Sequence, residues 1–500
     1  MASLSRKAAL LIIANAAKYT VGFVLPMVVV RFLTRGEYGT YQQLSLVATC
    51  AIGVMVLGLP TSIYYFYHRV SQGTGRATLI AQTQVMLLIS GCAAALAVTL
   101  AAPLLALWMH NPELGGLLPL YSLYVGLFIG GEHFLHVMIS QNRYGLAVGL
   151  ELAETVVRVA ALVSVLVFGG SLRDIVLVLI CYAALRLIIR SYWLWQGQDS
   201  VAQASWAERS PSAQLAYGLP LAATMCMGLL GSLLDRAIVA VVFNPAAYAV
   251  YSVGALEIPL DSILQASVLN VLRASLPPLV AQGRIDEVVR VWRDSVRKLA
   301  LIVVPSFVFL LFFAERFITT LFTESYGDSV SVFRIYVLLI PLHMLVVSVV
   351  PQVYGRTRLN LYVVATAVAT NVLLSFLLLR VLGILGPATA LVCSQYLSAL
   401  LYFIVTVRLL KAGPGRLLPI RALARAALAS LVAVAPALYV ASSVEHRLIS
   451  LILGSAVFAI GYLLAAYLLG VFHETEIEVA RSWLRRLAFW AGRQGDPPLS

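Results

Sequence analysis

The chain has 500 residues, of which 61% are hydrophobic and only 11% are Asp, Glu, Lys or Arg, where a soluble domain carries about 25% charge. With a mean hydropathy of +0.92 and a formal charge of +13, it lacks the polar surface to cover soluble cores, so an integral membrane protein is the class that fits. Polar stretches between the apolar runs stay under about 25 residues, too short for a folded catalytic head, and the unbroken runs exclude an outer-membrane barrel.

An all-α polytopic protein with about fourteen spans of about 20 residues is expected. The spans fall near 8–32, 43–67, 80–107, 116–140, 146–168, 174–196, 214–242, 247–272, 299–322, 329–353, 360–382, 385–408, 420–442 and 448–471. Span one follows Arg6 and Lys7, lacks a small-x-small cleavage site and is expected to be retained. A charge at mid-membrane costs about 2.5–3.5 kcal/mol, so each intramembrane charge asks for a partner or a function. Lys18, near mid-depth of span one, either faces an anionic substrate or pairs with an acid on a neighbouring helix. The tyrosines Tyr64, Tyr65 and Tyr67 at the end of span two read as interfacial anchors, with sugar stacking as the alternative. In span four, Glu132 and His136 stand one turn apart beside His133 and could share a proton; no third ligand converges, so no metal site is assigned. Span five carries Glu151, Glu154 and Arg158 on one face. Arg158 is either a substrate ligand or neutralised by Glu154 in the favourable i, i+4 order.

Asp235 and Arg236 lie in span seven, where Arg236 either neutralises its neighbour or lines a cavity. In span eight the acids Glu257 and Asp261 stand one turn apart with Pro259 between them. Like charges at that spacing repel, and a proline frees the carbonyl of Ala255. Together they are candidates for holding a proton or Na⁺, or for pairing with Lys18 or Arg236. Pro26, Pro60, Pro103, Pro220, Pro259, Pro305 and Pro341 all fall within spans, where each removes a donor and can kink a helix. After span eight, Ile285, Val288, Val289, Trp292 and Val296 recur at helical spacing. In the tail, Ile477, Ala480, Trp483, Leu484, Leu487 and Trp490 do the same. Both segments are expected to lie on the inner membrane surface, with docking against a partner as the alternative. The five cysteines all sit in apolar runs and read as small core hydrophobes.

Basic residues set the direction. The clusters Arg273, Arg284, Arg290, Arg293, Arg297 and Lys298, and Arg408, Lys411, Arg416, Arg421 and Arg425, fall on the side that holds both termini. The positive-inside rule makes that side cytoplasmic. The net charge is accounted for by this asymmetry and by anionic lipid headgroups, with no call for nucleic acid.

A repeat organises the chain. Tyr38 and Tyr41 recur as Tyr248 and Tyr251, and Ser71-Gln72-Gly73 recurs as Ala281-Gln282-Gly283, both at an offset of 210 residues. Six spans separate the copies, so they share one orientation, a parallel repeat about the membrane normal. The expected organisation is a lobe over 1–200, a second over 201–412 and a pair of extra helices with a basic amphipathic cytoplasmic tail over 413–500. The two six-helix lobes would face a central cavity and rock to give alternating access.

Three segments carry a resemblance: VVVRFLTRGEYGTYQQLSL at 28–46, LAYGLPLAATMCMGLLGSLLDRAIVAVVFNPAAYAVYSVGA at 215–255, and LLIPLHMLVVSVVPQVYGRTRLNLYVV at 338–364. They resemble the polysaccharide flippases of the multidrug/oligosaccharidyl-lipid/polysaccharide exporter superfamily. The resemblance implies translocation of undecaprenyl-diphosphate-linked oligosaccharide from the cytoplasmic to the periplasmic leaflet of the bacterial inner membrane. The product would serve O-antigen, capsule or exopolysaccharide synthesis alongside polymerase machinery. Lipid II flippases of the superfamily meet the diphosphate with basic cavity residues, for which Lys18, first in line, and Arg236 are the positions here; Arg158 joins them only as the substrate-ligand reading of span five. An ion gradient, H⁺ or Na⁺, would drive the cycle through Glu257, Asp261, Glu132 or His136. No cofactor is called for, and no phosphate-binding Gly-x-x-x-x-Gly-Lys-[Ser/Thr] loop is present. The alternatives are a drug/cation antiporter of the same superfamily and, from another class, a membrane glycosyltransferase. The second would need a catalytic loop that the chain does not encode.

Overall fold

Long apolar runs in a chain denied water must satisfy their own backbone, and the apolar runs described here do so as helices. The computed structural model describes residues 2–70, 73–196, 211–473, 476 and 478, with side chains from Ala16 onward except at 260–262 and 357. No strand occurs among the described residues. In chain order the helices are α1 (Ala2–Val29), α2 (Arg35–Met55), α3 (Leu59–Phe66), α4 (Thr74–Trp108), α5 (Glu113–Gly130), α6 (Phe134–Ser140) and α7 (Tyr144–Val167). They continue as α8 (Leu172–Trp195), α9 (Pro211–Val242), α10 (Pro245–Gly254), α11 (Pro259–Ala281), α12 (Ile285–Phe322) and α13 (Ser329–Val337). The last six are α14 (Val349–Val353), α15 (Thr357–Leu382), α16 (Leu385–Leu410), α17 (Pro414–Leu417), α18 (Ile420–Ser442) and α19 (Arg447–Leu468).

Eleven stretches among the described residues are long and apolar enough to cross a membrane. Three more helices, α1, α7 and α8, have 28, 24 and 24 residues, and at 1.5 Å per residue each also reaches across about 30 Å of hydrocarbon. These three carry Lys18, Glu151, Glu154, Arg158, Arg186 and Arg190, all the charges of the site described below except Glu132.

Several expected spans are interrupted. Span two breaks between α2 and α3, where Gly58 takes φ +65° and Pro60 opens the new helix. Span four breaks at 131–133 after Gly130 and Gly131. Span eight breaks at 255–258 before Pro259, as proline disfavours a helical residue ahead of it. Pro26, Pro103, Pro220 and Pro305 instead sit inside continuous helices. Cys92, Cys181 and Cys393 are exposed, so they lie on outward faces of the spans instead of in the core. Leu100, Ile188 and Val381, at 70%, 65% and 78% exposure, share such faces, the surface a bilayer would cover.

The repeated segments adopt matching local structure. Thr34 caps α2 by accepting from the Glu37 N–H, and Asn244, 210 residues on, caps α10 by accepting from the Ala247 N–H. Gly73 and Gly283 both take left-handed backbone, φ +74° and +69°, which glycine alone adopts without a Cβ penalty; Ser71 and Gln72 fall outside the described residues. The corresponding helices α2 and α10 pack directly on each other. Gly39 makes that approach possible, since a Cβ there would stand 1.8 Å from the Pro245 carbonyl oxygen. Gly39→Ala is therefore expected to cost the roughly 1–3 kcal/mol of overpacking or more, read as a lower thermal midpoint in detergent. Gly36→Ala, with open space around its Cβ, should leave the midpoint unchanged.

The chain divides into two compact units: Met1–Ile263, Leu321–Tyr336 and Thr357–Tyr402 form one, and Leu264–Thr320, Val337–Arg356 and Phe403–Ser500 the other. In the second unit, α18 and α19 pack on each other. Phe313 of α12 joins Ala433, Ala437, Phe458 and Tyr462 in their core, and the Tyr462 hydroxyl donates to the Leu301 carbonyl at 2.8 Å. The amphipathic stretch after span eight departs from expectation. It is the first half of the 38-residue α12, and its apolar face is shut inside the protein, with Trp292 and Val296 at 0% exposure. Periodicity announces a buried stripe but does not say whether lipid or protein buries it. Arg297 closes the end of this unit with 2.6 and 3.1 Å bonds to Glu476. Burial opposes the charged form of Glu476, but these bonds win and hold its carboxyl below the usual range. The tail face from Ile477 to Trp490 lies outside the described residues, apart from residue 478.

Candidate functional site

The site lies in the first unit, where α7 packs on α1 and α8, and α8 packs on α5. Breaking span four at Gly131 leaves the Phe128 and Gly131 carbonyls with only long turn bonds, 3.3 and 3.4 Å, from the Gly131 and Phe134 N–H groups, and two arginines of α8 add to them. Arg186 donates to the Phe128 carbonyl at 3.0 Å and Arg190 to the Gly131 carbonyl at 3.1 Å. Both arginines are 4% exposed, and both also meet carboxylates. Arg190 makes a bidentate pair with Glu154 at 2.9 and 2.7 Å, and Arg186 bonds Glu132 at 2.5 Å. Glu154 lies 3.5 Å from Arg186, and Glu151 lies 3.6 Å from Arg190. Lys18 of α1 completes the set by pairing with Glu151. Charges that would each be costly alone in a membrane are thus met by opposite charge and by backbone carbonyls.

These residues line a cavity of about 500 Å³. Its charged lining comprises four cations, Lys18, Arg158, Arg186 and Arg190, and three carboxylates, Glu132, Glu151 and Glu154. Each carboxylate belongs to an ion pair. Arg158 is the cation left over. It makes no ion pair among the described residues, its Nε has no hydrogen-bond partner, and its electrostatic neighbours are the phenols Tyr41, Tyr121, Tyr124 and Tyr182. The cavity therefore holds one positive charge that the protein does not compensate. His136 also lines it, with Nδ1 buried and unbonded, and its ring is tilted 45° against that of Tyr64 at 5.0 Å. His133, fully buried nearby, has neither ring nitrogen bonded.

A second cavity, of about 360 Å³, shares Lys18, Gly22, Pro26, Gln42 and Ser45 with the first. Arg236 of α9 enters it and donates to the Ala255 carbonyl at 2.8 Å, the group freed by the break before Pro259. Glu257 lies 3.4 Å from the same Nη2 and is otherwise exposed. Asp235, beside Arg236, turns the other way. It is fully buried, and its Oδ2 accepts from the Tyr251 hydroxyl at 2.6 Å and from Tyr336.

The structure thus brings Lys18, Arg158, Glu132 and His136 to one cavity, and Lys18, Arg236 and Glu257 to its neighbour. Asp261 falls in the first turn of α11, and its side chain is outside the described residues. Arg186 and Arg190, which hold the first cavity together, were not singled out from the sequence. Their signal was there: two arginines four apart, hence on one helical face, inside an apolar run. At the end of α3 the Tyr65 ring is engaged by the protein itself, with Arg69 3.6 Å from the ring centroid and Tyr217 stacked at 4.5 Å.

A family model described as "Polysaccharide biosynthesis protein" matches residues 28–331. A sequence search of curated proteins finds no match. Among solved structures, the lipid II flippase MurJ in an inward closed conformation is similar at TM-score 0.67 and 12% identity, over 91% of this chain and 98% of that one. An inward-facing multidrug resistance MATE family transporter of the MOP superfamily follows at TM-score 0.62 and 14% identity, over 79% and 94%. A MOP superfamily transporter from Pyrococcus furiosus matches at 0.54 and 12% identity, over 82% and 96%. At these identities the likeness is one of fold: a polytopic, all-α membrane transporter fold.

Proposed function

The chain belongs to the polysaccharide biosynthesis protein family, and from that premise we propose that it is a flippase for glycans carried on a polyprenyl diphosphate. The observation that carries this reading is the uncompensated Arg158 in a cavity whose other charges are paired. An anion entering there gains a charge-assisted, bidentate partner without breaking an existing pair. Lys18, paired with Glu151, lines both cavities, and Arg236, held by the Ala255 carbonyl and Glu257, lines the second; the headgroup would pass these secondary cations as it moves, while the polyprenyl chain stays in lipid. On this account the membrane is the bacterial inner membrane with both termini cytoplasmic, and the segments 1–200 and 201–412 act as the rocking lobes. A proton or Na⁺ gradient would act through His136 with Glu132, or through Glu257 with Asp261, and polysaccharide polymerase machinery would receive the product.

The second reading is a drug/cation antiporter, favoured by the MATE-like fold but opposed by the positive sign of the cavity. Ligand-induced stabilisation separates the two. A polyprenyl-diphosphate glycolipid at about 100 times its Kd should add about 2.7 kcal/mol to the purified protein, seen as a raised thermal midpoint, while a lipophilic cationic dye should not. Stabilisation by the dye and none by the glycolipid would favour the antiporter.

A further inference from the structure

The two adjoining cavities differ in chemistry, and the difference matches the two halves of a sugar diphosphate. The first is walled by charge. The second has an apolar wall (Phe23, Leu46, Leu233 and Phe322 among it) into which oxygen-bearing side chains are set: Tyr19, Gln42, Ser45, Thr49, Ser252 and Glu257. Two of its hydroxyls spend their protons on their own helices, Thr49 on the Ser45 carbonyl at 2.8 Å and Ser252 on the Ala249 carbonyl at 2.9 Å. The Thr49 hydroxyl keeps its lone pairs as acceptors, while Ser252 is also engaged by the Tyr38 hydroxyl. Glu257, with its side chain 74% exposed, adds a carboxylate acceptor. Tyr19, 54% exposed, adds an aromatic face. Arg236, the cation of this chamber, already serves the Ala255 carbonyl and Glu257, so its charge is met locally. Acceptors around an accessible ring suit a ligand that is rich in hydroxyl donors and has apolar C–H faces. At about 360 Å³, near the lower end of the roughly 300–1,000 Å³ of small-ligand cavities, the chamber fits the first sugar of a glycan and not a whole repeat unit.

We infer that this second chamber is a sugar subsite that reads the first residue of the glycan, with Glu257, Tyr19 and Thr49 as its recognition groups. The inference rests on the flippase reading of the first chamber. Its geometry is consistent with that reading, because the first sugar is esterified directly to the diphosphate. The two subsites must therefore adjoin, and they share the wall formed by Lys18, Gln42 and Ser45.

The test measures binding to the full-length protein in nanodiscs with two probes, bare undecaprenyl diphosphate and undecaprenyl diphosphate bearing one N-acetylhexosamine. The wild-type protein should prefer the glycosylated probe by at least tenfold. The double variant Tyr19→Ala, Glu257→Gln should erase that preference, and Thr49→Val, similar in size but lacking the hydroxyl, should reduce it severalfold. All variants are first matched to wild type in thermal midpoint. A wild-type protein with no preference, or a double variant that keeps it, would overturn the sugar subsite and leave the flippase reading standing on Arg158-dependent binding of the bare lipid. Failure of both probes to bind would overturn both.

Discussion

Arg158→Ala is expected to cut the affinity for a polyprenyl diphosphate by about ten- to a hundredfold while leaving the protein at least as stable as wild type. The first half follows from the loss of hydrogen bonds to a charged group, worth about 1.5–3 kcal/mol, at about 1.4 kcal/mol per factor of ten. Lys18, Arg186 and Arg190 do not substitute, because each is held by a carboxylate. The second half follows from the missing partner. An uncompensated arginine in a span carries an insertion cost of about 2.5–3.5 kcal/mol, and its removal relieves that cost. Arg158→Lys should recover only part of the affinity, since an ammonium keeps the charge but loses the planar fork. Affinity and thermal midpoint measured on the same preparations check both halves. An Arg158→Ala protein that binds normally, or that loses binding only by unfolding, would remove Arg158 from the anion site.

Glu154→Ala has the opposite signature. It strips the bidentate partner from Arg190 and a 3.5 Å neighbour from Arg186, leaving cations that are almost wholly buried. Breaking a buried pair on one side costs about 3–5 kcal/mol, so this variant should show the largest loss of thermal stability among substitutions in the site. Glu151, 3.6 Å from Arg190, softens the loss, and a Glu151→Ala, Glu154→Ala double variant should exceed the sum of the single effects. A Glu154→Ala midpoint equal to wild type would mean that the pair does not hold α8 to α7.

Much of this arrangement was legible before the fold was known. The apolar runs gave the helices, and the 210-residue offset gave a repeat whose two copies share their caps, Thr34 and Asn244, and their left-handed turns at Gly73 and Gly283. The charges in apolar runs marked the site, because their cost is a property of each residue alone. Their pairing is not. Whether Glu154 turns to Arg158 on its own helix or to Arg190 on the next depends on packing, and the structure chose Arg190. Choosing so left Arg158 unpaired, which no local pattern announces. Helix breaks at 131–133 and 255–258 were equally hidden in their effect: proline and glycine mark where a helix ends, but not that Arg186, Arg190 and Arg236 arrive at the carbonyls there. The α12 face around Trp292 was misplaced for a related reason, as an apolar stripe looks the same whether protein or lipid covers it.

Transbilayer movement is the most direct measure of the central claim. The protein is reconstituted in liposomes with a fluorescent undecaprenyl-diphosphate oligosaccharide, and a membrane-impermeant reagent reports how much of it occupies the outer leaflet over time. The account predicts protein-dependent exchange of the glycolipid between leaflets that falls at least tenfold in Arg158→Ala at equal protein density. Exchange no faster than in protein-free liposomes, with gradient-driven efflux of a cationic dye in its place, would contradict it.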